Sequence, residues 1–130
     1  MSSQGVFGRI LILEDDEMRV AWFRHKFTDY HKDITQDVLQ AIQLLQENEY
    51  TLILLDHDLI DDHYYSYDET DERTGHTVAA WLAANADCQR QATIIIHSLN
   101  FIGAERMLQT LIDSGRDAEH IPFPYLESEL

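Results

Sequence analysis

The chain has 130 residues, 45% of them hydrophobic, and 9 Lys+Arg against 24 Asp+Glu give a formal charge of −15. That apolar content suits one domain over residues 1–130 with its own core and argues against intrinsic disorder. The acid excess argues against duplex DNA and an anionic membrane as partners, since both recruit Lys and Arg.

Near the start, Ile10 to Leu13 is too short an apolar run for a signal peptide or a membrane span. Cys88 is the single cysteine, so no internal disulfide is expected and a cytoplasmic setting fits. Arg9 to Leu13 reads as a strand buried on both faces, ending in Glu14, Asp15 and Asp16. Asp16 suits an N-cap for a helix from Glu17 to about Thr28, with Val20, Phe23 and Phe27 at helical spacing. Asp33 to Thr35 predicts a short strand, and Val38, Leu39, Ile42 and Leu45 a second helix. Thr51 to Leu55 is another buried run stopping at acid, here Asp56. Thr74 can cap a helix carrying Val78, Trp81 and Leu82, and Thr93 to Ile96 is a third buried run, ending in His97-Ser98. A helix with Ala104, Met107, Leu108, Leu111 and Ile112 follows, with Asn100 at its start and Gly115 to stop it. Ala118 to Phe123 predicts the final strand.

Strands alternating with helices predict an α/β domain, a parallel sheet covered on both faces. Ligands of such sheets bind beyond the carboxyl ends of the strands. Glu14-Asp15-Asp16, Asp56-His57-Asp58 and His97-Ser98 should therefore share one rim. Asp15, Asp56 and Asp58, with Glu14 or Asp16 behind them, are hard oxygen donors for Mg²⁺ or Mn²⁺; a histidine ligand would shift preference toward Mn²⁺, Fe²⁺ or Zn²⁺. The competing reading makes these acids solvated loop residues that cap helices. His57 and His97 could serve as general acid and base at phosphorus. Ser98 lacks a nucleophile elbow and suits a hydrogen bond to substrate; Asn100 either binds substrate or caps the following helix. No glycine-rich phosphate loop is present. The stretch from Asp56 to Arg73 is long for a strand-to-helix connection and carries His63, Tyr64, Tyr65 and Tyr67, residues suited either to a closing loop that stacks on a base or to an acidic surface loop.

RILILEDDEMR, LILLDHDL, Thr74-Gly75 and the strand ending at Ser98 resemble a response-regulator receiver domain. The resemblance implies a flavodoxin-like, doubly wound sheet of five parallel strands in the order 2-1-3-4-5. It places Glu14 and Asp15 on the acidic pair that binds Mg²⁺, Asp56 on the phosphoacceptor, and Ser98 or His97 on the switch hydroxyl. Receivers carry a lysine after the fifth strand, whereas this chain has no lysine beyond Lys32 and reads His120-Ile-Pro-Phe-Pro-Tyr125 there. It also leaves little room for a fifth helix, which should be short or absent. Asp56-His57-Asp58-Leu59 and His97-Ser98-Leu99-Asn100 resemble the marks of a divergent branch, the cyclic-phosphate-processing receiver domains.

The expectation is metal-assisted hydrolysis of a cyclic phosphate, either a cyclic nucleotide or an RNA-end cyclic phosphate. Asp15, Asp56, Asp58 and Glu14 would hold the metal, His57 and His97 would move protons, and Ser98 and Asn100 would orient the phosphate. The alternatives are a receiver phosphorylated on Asp56 and a non-catalytic module that binds a protein partner.

Overall fold

The computed structural model describes residues 8–59 and 73–130. The expectations for His63, Tyr64, Tyr65 and Tyr67 lie outside the described residues. Five strands, β1 (Arg9–Leu13), β2 (His31–Thr35), β3 (Leu52–Leu55), β4 (Thr93–Ile96) and β5 (Ala118–His120), form one parallel sheet in the order β2-β1-β3-β4-β5. Between and after them run α1 (Glu17–Lys26), α2 (Val38–Glu47), α3 (Gly75–Ala84), α4 (Phe101–Asp113) and a one-turn α5 (Leu126–Glu129) that follows a 3-10 turn at Phe123–Tyr125. None of the described helices is long and apolar enough to cross a membrane.

The continuous apolar runs are explained by the two faces of the sheet. Successive strand side chains point to opposite sides. Leu11, Leu13, Ile53, Leu55, Ile94 and Ile96 pack with Val38, Ala41 and Leu45 of α2, Val78 and Leu82 of α3, and Met107 and Leu111 of α4. Ile10, Ile12, Leu54 and Ile95 pack on the other side with Phe23 of α1, Phe27 just after it, and Leu126 of α5. A run covered on both faces has no polar alternation, which is the pattern Ile10–Leu13 and Ile53–Leu55 show.

Capping follows the local chemistry. Asp16 and Asp37 accept hydrogen bonds from Met18 N at 2.8 Å and Leu39 N at 3.0 Å, starting α1 and α2. Asn100 does the same for α4 through Gly103 N at 3.0 Å. Thr74 occupies the cap position of α3 without a side-chain cap bond. After α4 the chain turns at Gly115, whose φ of +88° is the left-handed region glycine tolerates. Three strands differ from expectation, the slightest being β3, which begins at Leu52 and leaves Thr51 exposed. β2 begins two residues earlier than Asp33, because His31 to Asp33 pair in register with Arg9 to Leu11. β5 ends at His120, not Phe123, since Pro122 has no N–H for the ladder and Phe123 already begins the 3-10 turn.

Candidate functional site

Strand register builds the site. Leu13 pairs with Leu55 and Leu55 with Ile96, so the next residues, Glu14, Asp56 and His97, leave the sheet side by side. The ladder carries one step further: Asp56 N donates to Leu13 O at 3.1 Å and His97 N to Leu55 O at 2.9 Å. Leu13, Leu55 and Ile96 point toward α2, α3 and α4, so alternation turns Glu14, Asp56 and His97 toward α1 and α5. One potential ligand atom from each lies within 4.8 Å of the others, and all three residues are buried.

Glu14 is the most heavily bonded of them. Its Oε1 accepts from His97 Nε2 at 2.8 Å and Arg19 Nε at 2.9 Å. Its Oε2 accepts from Asp15 N, Asp16 N and Arg19 Nη2, each at 3.0 Å. Burial alone would raise its pKa, but the hydrogen bonds from His97 and Arg19 hold it far below the usual carboxylate range. A carboxylate has about four lone-pair directions, and these five donors fill them. Asp15 and Asp56 contrast with it. Asp15 Oδ1 and Asp56 Oδ2 are buried without a hydrogen-bond partner. Burial first, and then the charge of Glu14, pushes Asp15 up to about 6, and the same two causes push Asp56 well above its ordinary value. Arg19 Nη2 stands 3.6 Å from Asp56 Oδ2 and 4.0 Å from Asp15 Oδ1, attracting both charges without a hydrogen bond to either.

Asp56 Oδ2, in the group with Glu14 and His97, and Asp15 Oδ1, outside that group, are hard carboxylate oxygens without a hydrogen bond, donors of the kind a divalent cation takes. Asp15 and Asp56 would hold it, with Glu14 behind them. His97 is 1% exposed; its ring meets Phe23 edge-on at 5.1 Å, and burial pushes its pKa down against the pull of Glu14. Its Nε2 donates to Glu14 and its Nδ1 has no hydrogen-bond partner.

The residue after Asp56 points the other way, toward α3 and α4. His57 Nδ1 donates to Asp58 Oδ1 at 2.7 Å, and Asn100 Nδ2 donates to the same oxygen at 3.2 Å. Asp58 thus stands with His57 and Asn100, outside the group of Glu14, Asp56 and His97. Two glycines make room here. A Cβ at Gly103 would meet the His57 ring at 2.6 Å, and one at Gly75 would meet Asp56 O at 1.8 Å. Ser98 is buried and its Oγ accepts from Asn100 N at 3.0 Å, so both residues expected to orient substrate also shape the start of α4.

Arg19 closes the motif RILILEDDEMR, but the sequence assigned it no part in the site. Its spacing of three and four residues from Asp16 and Asp15 on one helix face is the signal that would have found it. Gly103 and His120, whose Nε2 lies 2.9 Å from Ser98 O, carry no such local signal.

The fold is shared with receiver domains of known structure. The response regulator TrrA of Thermotoga maritima, in complex with Mg²⁺ and BeF, is 16% identical over 93% of this chain and 94% of that one, with a TM-score of 0.64. The receiver domain of a Pseudomonas aeruginosa sensor histidine kinase, with magnesium coordinated in its active-site cleft, is 18% identical over 94% and 89%, at a TM-score of 0.66. A receiver domain of a Syntrophus aciditrophicus signal-transduction histidine kinase is 22% identical over 94% and 86%, at 0.61. No curated protein matches the chain. Residues 10–113 match the family model of the cyclic-phosphate processing receiver domain, and the chain belongs to that family.

Proposed function

We propose that this receiver domain opens cyclic phosphates by metal-assisted hydrolysis. The observation that carries the reading is the pair of buried oxygens that accept no hydrogen bond, Asp15 Oδ1 and Asp56 Oδ2, on a rim that also carries His57, a histidine oriented by Asp58. Magnesium is the first expectation for the cation, from the all-oxygen donor pair, with Mn²⁺ second. When bound it polarises a phosphoryl oxygen and offsets charge gathering on phosphorus.

The side chains of this chain divide the remaining work. Asp58 accepts the Nδ1 proton of His57, which leaves Nε2 with the lone pair for proton transfer. His57 Nε2 takes a proton from the water whose oxygen bonds to phosphorus. It returns a proton to the ester oxygen released when the ring P–O bond breaks, giving a phosphomonoester. Asn100 steadies Asp58. His97 acts in this reading through Glu14 as a positioning residue, because burial keeps it from a ligand. The setting is cytoplasmic, and the ligand is a small cyclic phosphate or an RNA end, not duplex DNA or a membrane.

Purified protein, incubated with 2′,3′-cyclic and 3′,5′-cyclic AMP, should form a monoester only with Mg²⁺ or Mn²⁺ and stop on chelation. His57→Ala should abolish turnover. Absence of any ring opening with either metal refutes the proposal.

A second reading has its own support. Asp56 Oδ1 accepts from His57 N at 2.8 Å while Oδ2 makes no hydrogen bond, the arrangement of a carboxylate with one oxygen available as a nucleophile. A small phosphodonor should then give an adduct on intact mass analysis that Asp56→Asn abolishes, consistent with a signalling module that binds a protein partner.

A further inference from the structure

An open cleft of about 430 Å³ adjoins the site on its β2 side, between the starts of α1 and α2. It shares Glu14 and Asp15 with the site, so a phosphate lying against Asp15 and Asp56 has this cleft as its neighbour. Its walls are of three kinds. Val20 and Ile34 give an apolar, half-buried side on which the face of a ring can lie. The exposed Gln36 and Gln40 supply amide groups, while the buried Thr35 hydroxyl, donating to Gln40 Oε1 and accepting from Asp37 N, holds that wall together. Glu17 and Asp37 close the outer end with two carboxylates.

Charge decides what the outer end accepts. Asp37 Oδ1 is engaged in capping α2 at 3.0 Å, but the carboxylate keeps its full negative charge. Each helix start contributes at most about half a positive charge, and only to groups within its first turn. Two formal negative charges therefore exceed the two helix ends. Carboxylates accept hydrogen bonds from hydroxyl and amino groups and repel a phosphate.

Resting on the hydrolysis proposed above, we infer that this cleft receives the organic body of the substrate. The body is a nucleoside-like group bearing hydroxyl and amino donors and no second phosphate. The site is thus fitted to a free cyclic mononucleotide and discriminates against the cyclic end of an RNA strand.

The test uses the full chain, isotopically labelled, with Mg²⁺ and three probes: 2′,3′-cyclic AMP, the same compound carrying a 5′-phosphate, and a dinucleotide ending in a 2′,3′-cyclic phosphate. Amide shifts from 2′,3′-cyclic AMP should concentrate at Thr35, Gln36 and Gln40. Binding of both phosphate-bearing probes should be about fivefold weaker at low salt, and the difference should vanish at high salt. Glu17→Gln combined with Asp37→Asn should bring the three to parity; asparagine caps a helix as well as aspartate, so α2 is kept. Ring opening with shifts elsewhere, or equal or tighter binding of the dinucleotide, overturns this inference and leaves the hydrolysis standing. Shifts in the cleft without ring opening overturn the hydrolysis and leave the cleft assignment. Neither shifts nor ring opening overturns both.

Discussion

Gly103→Ala tests whether the position of His57, and not its mere presence, matters. In a helix interior alanine normally exceeds glycine in stability by about 1 kcal/mol. At this position its Cβ would lie 2.6 Å from both Cγ and Cδ2 of His57 and 2.8 Å from Nδ1. Carbon–carbon contact is comfortable at about 3.5–4.0 Å, so the ring must retreat by about 1 Å. That displacement breaks the 2.7 Å bond to Asp58, a charged hydrogen bond of about 1.5–3 kcal/mol. Set against the helical gain, the net loss of stability should be about 0.5–2 kcal/mol. Turnover should suffer more, since a 1 Å misplacement of a reacting group costs about 100-fold. Urea unfolding measures the first and cyclic-phosphate opening the second. Gly115→Ala is the control: nothing lies within 4 Å of its Cβ and its φ is +88°, so it should lose about 1 kcal/mol with turnover intact. A Gly103→Ala protein as stable and as active as the parent refutes the placement of His57.

Metal binding should depend on pH through Asp15. Its folded pKa of about 6 lies above an unfolded value of ~3.9, so it weakens the metal-free fold progressively as pH rises through that interval. If Asp15 holds Mg²⁺, binding would displace its proton, so thermal stabilisation by added Mg²⁺ should grow from pH 5 to 7 and then level; Asp15→Asn should flatten the curve. His97→Gln, which keeps a donor for Glu14, should retain more metal binding and stability than His97→Leu, which leaves one fewer donor on a buried charge; equal behaviour would deny the positioning role. Gln89 is buried at a positive φ of 57°, where its side chain accepts from Tyr50 N at 2.9 Å and donates to Leu45 O at 2.9 Å. Gln89→Ala should therefore cost about 2–3 kcal/mol in urea unfolding while leaving the site untouched, and a cost near zero would show that this junction contributes nothing.

The strands, their order of alternation with helices and the rim at which they end were legible from residue patterns alone. Buried runs such as Ile10–Leu13 have no polar alternation, and each stops abruptly at an ionisable residue. Asp16 announces its helix through local cap chemistry, whereas the equivalent cap at Asp37 emerged only with the structure. The shortened β5 was equally local, because Pro122 withholds a donor, although the apolar character of Ile121 and Phe123 masks it in a reading by hydrophobicity.

What the sequence could not divide was the acid cluster. Glu14, Asp15, Asp56 and Asp58 are similar carboxylates in one dimension, and only strand register and side-chain alternation separate them. Alternation sends Asp56 toward α1 and His57 toward α4, so the Asp-His-Asp triplet serves two faces of the sheet. Arg19 then takes up Glu14, Asn100 takes up Asp58, and two oxygens, on Asp15 and Asp56, are left without a hydrogen bond. Local patterning determined that negative charge would gather at this rim. The tertiary structure decided which of it is already neutralised, because only distance and burial set the cost of an unpaired charge.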